Sequence, residues 1–195
     1  SKALVIPYKK YYGSLKFSIK LDNVQKASNI NLKQLSKHIK NNEFVSNKIN
    51  TLKLDSDIEN GLYFESTIPE SYGLGSSGSV VAAIYESYKK EVFVDLDISD
   101  LKLIFSLMES FFHGQSSGID PLSCYVQKPL LVESKNSINT TDIPPQNINS
   151  KRTLFLIDTE CKGNTQGLVD IFLNKLRQKD FEVFFENEFA VAKNN

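Results

Sequence analysis

The stretch PESYGLGSSG at residues 69–78 decides how this chain is interpreted. It follows a predicted strand, precedes a predicted helix, and holds three glycines and three serines. Glycines let backbone amides approach an anion closely, and a helix N-terminus offers unpaired N–H groups with a partial positive charge. The stretch is therefore typical of a phosphate-binding loop, with a capped helix after a flexible turn as the alternative.

Two other named motifs compete for the same residues. Gly73-x-Gly75-x-x-Gly78 has the spacing of the dinucleotide fingerprint, but Pro69 separates the strand from the first glycine, whereas a Rossmann strand runs straight into it. Gly73 and Gly78 also have Walker A spacing, but Ser79 stands where the lysine belongs. Both interpretations are therefore disfavoured.

A second polar cluster, ESFFHGQSSGIDP, occupies residues 109–121 at the end of a predicted helix. The G-x-S-x-G spacing around Ser116 matches a hydrolase nucleophile elbow. However, His38 and His113 both precede that serine, and the histidine of an α/β-hydrolase follows it. Glu109 and His113 lack a third His or Cys nearby to complete a metal site, so a histidine that closes the helix is favoured.

A phosphate-binding loop together with two carboxylates, Glu109 and Asp120, suits phosphoryl transfer from a Mg²⁺-nucleotide, because one carboxylate can hold Mg²⁺ while the other deprotonates an acceptor hydroxyl. The motif P-x-x-x-G-L-G-S-S at 69–77 resembles the second motif of the GHMP kinases (galactokinase, homoserine, mevalonate and phosphomevalonate kinases). E-x-x-x-H-G-x-x-S-G-I-D at 109–120 is similar to the mevalonate kinase form, and IDTECKGNTQGLV at 157–169 resembles the segment opening the second domain.

The resemblance implies a role for each residue of these motifs. The residues expected to bind ATP are Ser66, Ser71, Tyr72, Gly73, Leu74, Gly75, Ser76 and Ser77. Ser77 and Glu109 would be the Mg²⁺ ligands, and Asp120 would be the catalytic carboxylate. Thr165 would place a hydroxyl near the transferred phosphate. We expect His113, a lysine or the backbone amides of residues 114–118 to orient the substrate carboxylate, without an arginine clamp.

The implied fold is α+β. A GHMP kinase N-terminal domain of the ribosomal protein S5 domain 2-like type would occupy residues 1–150, and the start of a ferredoxin-like C-terminal domain would occupy 151–195. The loop rich in Asn, Thr and Pro over 135–150 favours that boundary. The implied reaction transfers the γ-phosphoryl group of ATP to the primary hydroxyl of mevalonate, with ATP and Mg²⁺ as cofactors. Another superfamily kinase, such as phosphomevalonate kinase, and a non-catalytic nucleotide-binding module are the alternatives.

The sequence departs from the family pattern in several places. Gly78 and Ser79 stand where an alanine pair is commoner, Ser116 stands where the HG-x-P-S-G form has proline, and Gly163 stands where some members carry a basic residue. The family's first motif, a P-G-K/G-E strand and turn, and its third, glycine-rich motif do not occur in residues 1–195. We therefore expect the chain to be an internal portion of a longer kinase.

Composition excludes several other classes. Lys plus Arg and Asp plus Glu both number 23, so no net charge attracts nucleic acid or an anionic membrane. The two cysteines, Cys124 and Cys161, have neither disulfide nor metal spacing and are expected in the core. Together with the lack of a signal peptide, they favour the cytoplasm. The expected partner is a small molecule, mevalonate, rather than nucleic acid or a membrane, and a homodimer is a possible assembly.

Hydrophobic periodicity predicts the remaining elements. The predicted strands are two within 3–19 joined by a turn, then 62–68, 122–126, 130–133 and 153–157. The predicted helices are one opening at Asn31 with a stripe of Leu32, Leu35 and Ile39, one over 76–89 with Ser76 or Ser77 as N-cap, one over 99–112 with Gly114 as C-cap, and one over 165–176. His38 lies off the stripe and is expected in solvent. Asp55-x-Asp57-x-Glu59 predicts a polar helix start rather than a calcium loop.

Overall fold

The computed structural model describes residues 3–5, 12–93, 96–134, 137–142 and 165–194. Within them the strands are β1 (Ala3–Val5), β2 (Gly13–Phe17), β3 (Leu62–Ser66), β4 (Leu130–Ser134) and β5 (Ser137–Thr140). The helices are α1 (Asn23–Lys40), α2 (Glu43–Ser46), α3 (Thr51–Glu59), α4 (Ser76–Tyr88), α5 (Ile98–His113), α6 (Ile119–Val126), α7 (Thr165–Leu176) and α8 (Lys179–Asn194). The described residues form runs of helices and two small antiparallel sheets, which fits the predicted α+β class.

The described strands form two small antiparallel sheets. β4 lies between β1 and β5 in a three-stranded sheet, with Leu4 opposite Leu131. β2 pairs with β3 alone, with Phe17 opposite Leu62. The two strands predicted within residues 3–19 therefore belong to different sheets. β5 also replaces part of the loop predicted over 135–150.

Helix α1 begins eight residues before the predicted start at Asn31. Asp22 Oδ1 accepts a hydrogen bond from Gln25 N at 2.8 Å, and Gln25 Oε1 accepts one from Asp22 N at 3.2 Å. This reciprocal capping box satisfies two backbone N–H groups that the first helical turn leaves open. The predicted stripe is confirmed as buried: Leu32, Leu35 and Ile39.

The strand predicted over 122–126 is wrong, because residues 119–126 form helix α6. Pro121 is the third residue of this helix, where a proline loses no hydrogen bond because the first-turn N–H groups have no partner within the helix. A short apolar run is compatible with a buried strand or a buried helix, and periodicity alone does not separate them.

The core lies where α1, α3, α4, α5 and α6 pack on β3 and β4. Tyr85 of α4 meets Phe105 of α5 and Tyr125 of α6 edge to face, with ring centroids 5.1 and 5.4 Å apart. Such aromatic pairs contribute ~0.5–1.5 kcal/mol each beyond the area they bury. This cluster ties together the three helices that carry the second half of the phosphate loop and both carboxylates.

Two polar groups predicted to face water or to open a helix are structural instead. His38 Nε2 lies 2.9 Å from the carbonyl oxygen of Leu107, so it donates a hydrogen bond that joins α1 to α5. Asp55 lies inside α3, which begins after the N-cap residue Asn50, and its carboxylate pairs with Lys40 Nζ at 2.8 Å. Both errors arise because tertiary contacts recruit polar side chains that a helical pattern places outside the apolar stripe.

Helices α7 and α8 form a helical hairpin. The Phe172 ring meets the Phe181 and Phe185 rings edge to face, with centroids 6.3 and 5.2 Å apart. The prediction of a helix over 165–176 is confirmed, whereas the predicted strand over 153–157 lies outside the described residues. None of the helices in the described ranges is long and apolar enough to cross a membrane.

Candidate active site

Two packed helices bring Ser77 and Glu109 together. Ser77 is the second residue of α4, and Glu109 lies one turn before the end of α5. The Ser77 hydroxyl donates a hydrogen bond to Glu109 Oε1 at 2.9 Å. The two motifs singled out in the sequence therefore meet at one point, although 32 positions separate these residues along the chain.

Glu109 is the most buried charged group of this cluster, with 4% of its surface exposed. Burial raises the pKa of its carboxyl above the usual range; the hydrogen bonds from Ser116 and Ser77 oppose that shift, and the nearby Asp120 carboxylate adds to it. A buried carboxylate is poorly solvated, so it gains more from a cation placed beside it than an exposed one does. The electrostatics of the site therefore favour a cation.

His113 contacts the same serine. Its Nε2 lies 3.1 Å from Ser77 Oγ, and because the single Ser77 proton is directed to Glu109, the imidazole must donate this hydrogen bond. His113 is also the last residue of α5, and Gly114 closes that helix as predicted, with its N–H donating to the Ser110 carbonyl at 2.8 Å. The histidine therefore ends the helix and contacts Ser77, and it remains exposed.

The loop between α5 and α6 folds back over Glu109. Ser116 Oγ donates to Glu109 Oε2 at 2.5 Å and accepts a hydrogen bond from Gly118 N at 3.0 Å. Ser106 Oγ of α5 donates to the Ser116 carbonyl at 2.6 Å. The sequence presented Ser116 as the serine of a disfavoured nucleophile elbow and as a departure from the family pattern, and it did not predict this contact with Glu109. The sequence indicated a small polar loop after α5, but it did not indicate that the loop reverses direction and packs back on that helix.

The glycine loop that precedes α4 has a strained and open backbone. Ser71, Gly73 and Gly75 have φ values of 66°, 69° and 77°, in the left-handed region that L side chains rarely adopt. A Cβ added at Gly73 or Gly75 would meet no atom within 4 Å. Gly75, rather than the predicted Ser76 or Ser77, is the N-cap of α4, and no side chain caps the helix. Its first N–H groups thus remain available to an anion.

Asp120 sits at the start of α6, where that helix touches α4. It is the second residue of α6 and is exposed. A Cβ added to Gly78 would lie 2.9 Å from Pro121 N and 3.2 Å from Asp120 Cβ, so the backbones of the two helices approach as closely as a glycine allows. Gly78 follows Ser77 directly, and this contact sets how far Asp120 lies from the serine.

Cys124 lies one helical turn beyond Asp120, and the pKa of its thiol responds to the negative charge nearby. Burial raises the pKa of its thiol to about 11, and the Asp120 and Glu109 carboxylates add to that shift. The cysteine is half-buried and free. It is therefore a neutral thiol that is half-buried rather than in the core as predicted, and the negative field at this end of α6 comes from the two carboxylates.

Two predicted site residues are not brought into this cluster by any contact among the described residues. Ser66 Oγ donates to the Tyr12 carbonyl at 3.2 Å and accepts from Ile68 N at 2.9 Å, so its hydroxyl closes the turn after β3. Thr165 is the first residue of α7, and its side chain lies outside the described part of the chain. Their roles as nucleotide and phosphate contacts remain predictions.

Comparison with known proteins was informative for the part of the chain that holds both motifs. Residues 32–128 match the family described as GHMP kinases N terminal domain. This segment is similar to that domain, which supports a place in the GHMP kinase superfamily. No curated protein and no solved structure matches the chain with significant similarity. The match spans α4, α5 and α6 and therefore includes Ser77, Glu109 and Asp120, and it indicates an ATP-binding kinase of small molecules.

The oxygen atoms where Ser77 meets Glu109 fit a hard divalent cation. Ser77 Oγ and Glu109 Oε1 are 2.9 Å apart, and the carboxylate is buried with its charge poorly solvated. The described ranges hold no group of three or more His, Cys, Asp or Glu side chains that could bind a metal alone. Mg²⁺ usually takes only one or two protein ligands and fills its octahedron with water and phosphate oxygens, so two are enough.

Proposed function

We propose that the protein transfers the γ-phosphoryl group of ATP to the primary hydroxyl of mevalonate, giving 5-phosphomevalonate and ADP. The observation that carries this proposal is the 2.9 Å hydrogen bond between Ser77 and Glu109, with Asp120 held beside them through Gly78. It joins a phosphate-binding loop, a candidate metal ligand pair and a carboxylate, which are the parts that phosphoryl transfer from a Mg²⁺-nucleotide requires.

The nucleotide side of the proposal rests on residues 71–77. Gly73 and Gly75 hold the loop in a left-handed conformation, and no side chain caps the N-terminus of α4 that follows it. Backbone N–H groups and a helix N-terminus attract phosphate oxygens without requiring a net positive protein. This agrees with a chain whose formal net charge is zero.

The metal side of the proposal rests on Ser77 and Glu109. These two residues would hold Mg²⁺, which when bound would neutralise phosphate charge and stabilise the negative charge that develops during transfer. Ser77 would contribute a hydroxyl oxygen and Glu109 a carboxylate oxygen. The contact from His113 to Ser77 Oγ would then orient the hydroxyl toward its partners.

Asp120 is the proposed catalytic residue. Its exposed carboxylate accepts the proton of the acceptor hydroxyl as the oxygen forms a bond to the γ-phosphorus, while the bond from that phosphorus to the β,γ-bridging oxygen breaks and ADP leaves. The close approach of α4 and α6 at Gly78 keeps this carboxylate near the phosphate loop. Positioning of this kind supplies much of the rate in phosphoryl transfer.

Recognition of the acceptor is assigned to the loop after α5. Mevalonate carries a carboxylate, and the arginines of the chain are Arg152 and Arg177, neither of which lies within the two motifs. We therefore assign the carboxylate to His113, a lysine or the backbone amides of residues 114–118. His113 is exposed beside Ser77 and can reach a small anion in front of the loop.

Coupled ADP-release assays test the proposal. Mevalonate, phosphomevalonate, homoserine and galactose are compared at saturating Mg²⁺-ATP, and mevalonate should exceed the others by about 100-fold or more in kcat/KM. If another acceptor is preferred, mevalonate is not the substrate, but the assignment of phosphoryl transfer is retained. Mg²⁺-ATP binding without ADP release from any acceptor would instead indicate a non-catalytic nucleotide-binding module.

A further inference from the structure

Both oxygens of the Glu109 carboxylate are held by serine hydroxyls. Oε1 accepts from Ser77 at 2.9 Å, and Oε2 accepts from Ser116 at 2.5 Å. Glu109 is 4% exposed, so little water competes for either oxygen. Two hydrogen bonds to the two oxygens fix both the rotation of the carboxylate plane and the atom that each partner can reach.

The Ser116 hydroxyl is itself fully oriented. It donates to Glu109 and accepts from Gly118 N at 3.0 Å, so its proton and a lone pair both have partners. Ser106 holds the Ser116 carbonyl at 2.6 Å, which ties the backbone of this serine to α5. A proline at position 116 could make neither hydroxyl contact, so this arrangement requires a hydroxyl side chain here.

We propose that Ser116 is a positioning residue that determines which Glu109 oxygen serves the cation. By occupying Oε2 it leaves Oε1, the oxygen shared with Ser77, as the one that binds Mg²⁺, so that Glu109 acts as a monodentate ligand. This inference rests on the proposed function, because it concerns the same metal pair. Groups that orient a metal ligand from behind commonly change metal affinity by ~10–100-fold when they are removed.

Binding measurements test this without relying on turnover. The wild-type protein and Ser116→Ala are titrated with a fluorescent ATP analogue at a series of Mg²⁺ concentrations and again with EDTA. Ser116→Ala should raise the Mg²⁺ concentration for half-maximal nucleotide binding by about 10-fold. The affinity measured in EDTA should change by less than about 2-fold, because the hydrogen bonds of Ser116 go to Ser106, Glu109 and Gly118 rather than to the phosphate loop.

Three further variants separate orientation from folding. Ser116→Thr retains a hydroxyl and should restore the Mg²⁺ requirement to within about 3-fold of wild type, whereas Ser116→Cys keeps the volume with a weak donor and should resemble Ser116→Ala. Ser117→Ala is the matched control: its hydroxyl accepts from Ile119 N at 3.3 Å, and its Mg²⁺ requirement should stay near the wild-type value.

The outcomes distinguish the inference from the proposed function. If Ser116→Cys or Ser116→Ala has the Mg²⁺ requirement of Ser117→Ala, or if either loses affinity equally with and without Mg²⁺, Ser116 supports only the loop and the inference is wrong. If wild type itself shows no Mg²⁺-dependent nucleotide binding, the proposed function fails and the inference fails with it.

Discussion

The glycine loop at residues 71–75 and the contact of α4 with α6 at Gly78 use the same residue type for opposite reasons. Gly75 has a φ of 77° and open space around it, so its conformation requires glycine and its surroundings do not. Gly78 is helical, and a Cβ there would meet backbone at 2.9 Å, so its surroundings require glycine and its conformation does not. Open space suits a region that receives a ligand, and close contact suits one that fixes the positions of catalytic groups.

This difference predicts that the loop governs nucleotide affinity and the α4–α6 contact governs turnover. The strongest test is Asp120→Asn, which replaces a carboxylate by an amide of the same size. The amide cannot accept the acceptor proton, so kcat should fall by about 10²–10⁴-fold, the usual contribution of a general base. Mg²⁺-ATP affinity should change by less than about 3-fold, since Asp120 acts on the acceptor.

Steady-state kinetics and direct nucleotide binding on the same preparations check this prediction. Asp120→Glu is the control, because it keeps the charge and shifts the carboxylate. It should fall between wild type and Asp120→Asn. Unchanged ADP release by Asp120→Asn would remove this residue from the chemistry and would place the catalytic group elsewhere.

Gly78→Val tests the helix contact itself. Its Cβ cannot avoid Pro121 N, because that atom is backbone and has no rotamer to change. Overpacking of this kind costs ~1–3 kcal/mol, and displacement of α6 by a fraction of an ångström to 1 Å can reduce turnover by ~10²-fold. The melting temperature and kcat should both fall.

Gly78→Ala tests a smaller version of the same overpacking between α4 and α6. Alanine gains ~1 kcal/mol of helix propensity over glycine, which offsets part of the clash, so stability should fall less than for valine. Alanine is common at this position in the family pattern, and a wild-type kcat in Gly78→Ala would show that α6 accommodates a methyl group. Turnover that falls in proportion to side-chain volume would instead support the positioning role.

Much of this arrangement was predictable because it depends on local sequence. The loop, the starts of α4 and α7, the end of α5 at Gly114 and the stripe on α1 follow from glycines and from apolar spacing. The pair Ser77 and Glu109 was assigned to Mg²⁺ through family resemblance; the structure brings the two side chains into contact, and their metal role stays a prediction.

The features that sequence did not predict depend on tertiary contacts. Ser116 reaches Glu109 only because the loop reverses, and His38 finds its carbonyl partner on a helix about 70 residues away. Helix α6 was predicted as a strand because a run of Leu, Cys, Tyr and Val fits either structure until its neighbours are known. Long-range packing, rather than local propensity, decides each of these cases.

Gly75→Ala tests the open loop. A non-glycine residue in the left-handed region costs ~1–2 kcal/mol, and here no clash adds to that cost. We expect a modest fall in the free energy of unfolding and a fall in Mg²⁺-ATP affinity of about 10-fold, which corresponds to ~1.4 kcal/mol of lost binding. The kcat at saturating nucleotide should stay within about 3-fold of wild type.

Calorimetric titration with Mg²⁺-ATP and urea unfolding measure the two quantities for Gly75→Ala. Gly73→Ala is the matched variant, with a similar φ and equally open surroundings. A large loss of kcat with unchanged affinity in either variant would contradict the division of roles between the loop and the helix contact.

Asp55→Asn should have the smallest effect, and it provides a pH-dependent control away from both regions. Partial burial alone would raise the pKa of Asp55, but hydrogen bonds from Lys40 and Ser36 outweigh it, so the folded-state pKa lies below the ordinary value. A lowered carboxyl pKa stabilises the folded state above the unfolded-state pKa, and this stabilisation is lost as the pH falls through the folded-state pKa.

The pair is partly exposed, so the contribution at pH 7 should be no more than about 1 kcal/mol. Urea unfolding at pH 7 should show that loss in Asp55→Asn relative to wild type, and the two proteins should converge once the pH falls below the folded-state pKa of Asp55. Nucleotide affinity and kcat should match wild type at pH 7, since this pair joins α1 to α3 and lies outside the phosphate loop and the α4–α6 contact. A difference in stability that persists unchanged into acid would show that Asp55 acts through packing or through its neutral hydrogen bonds rather than through its charge.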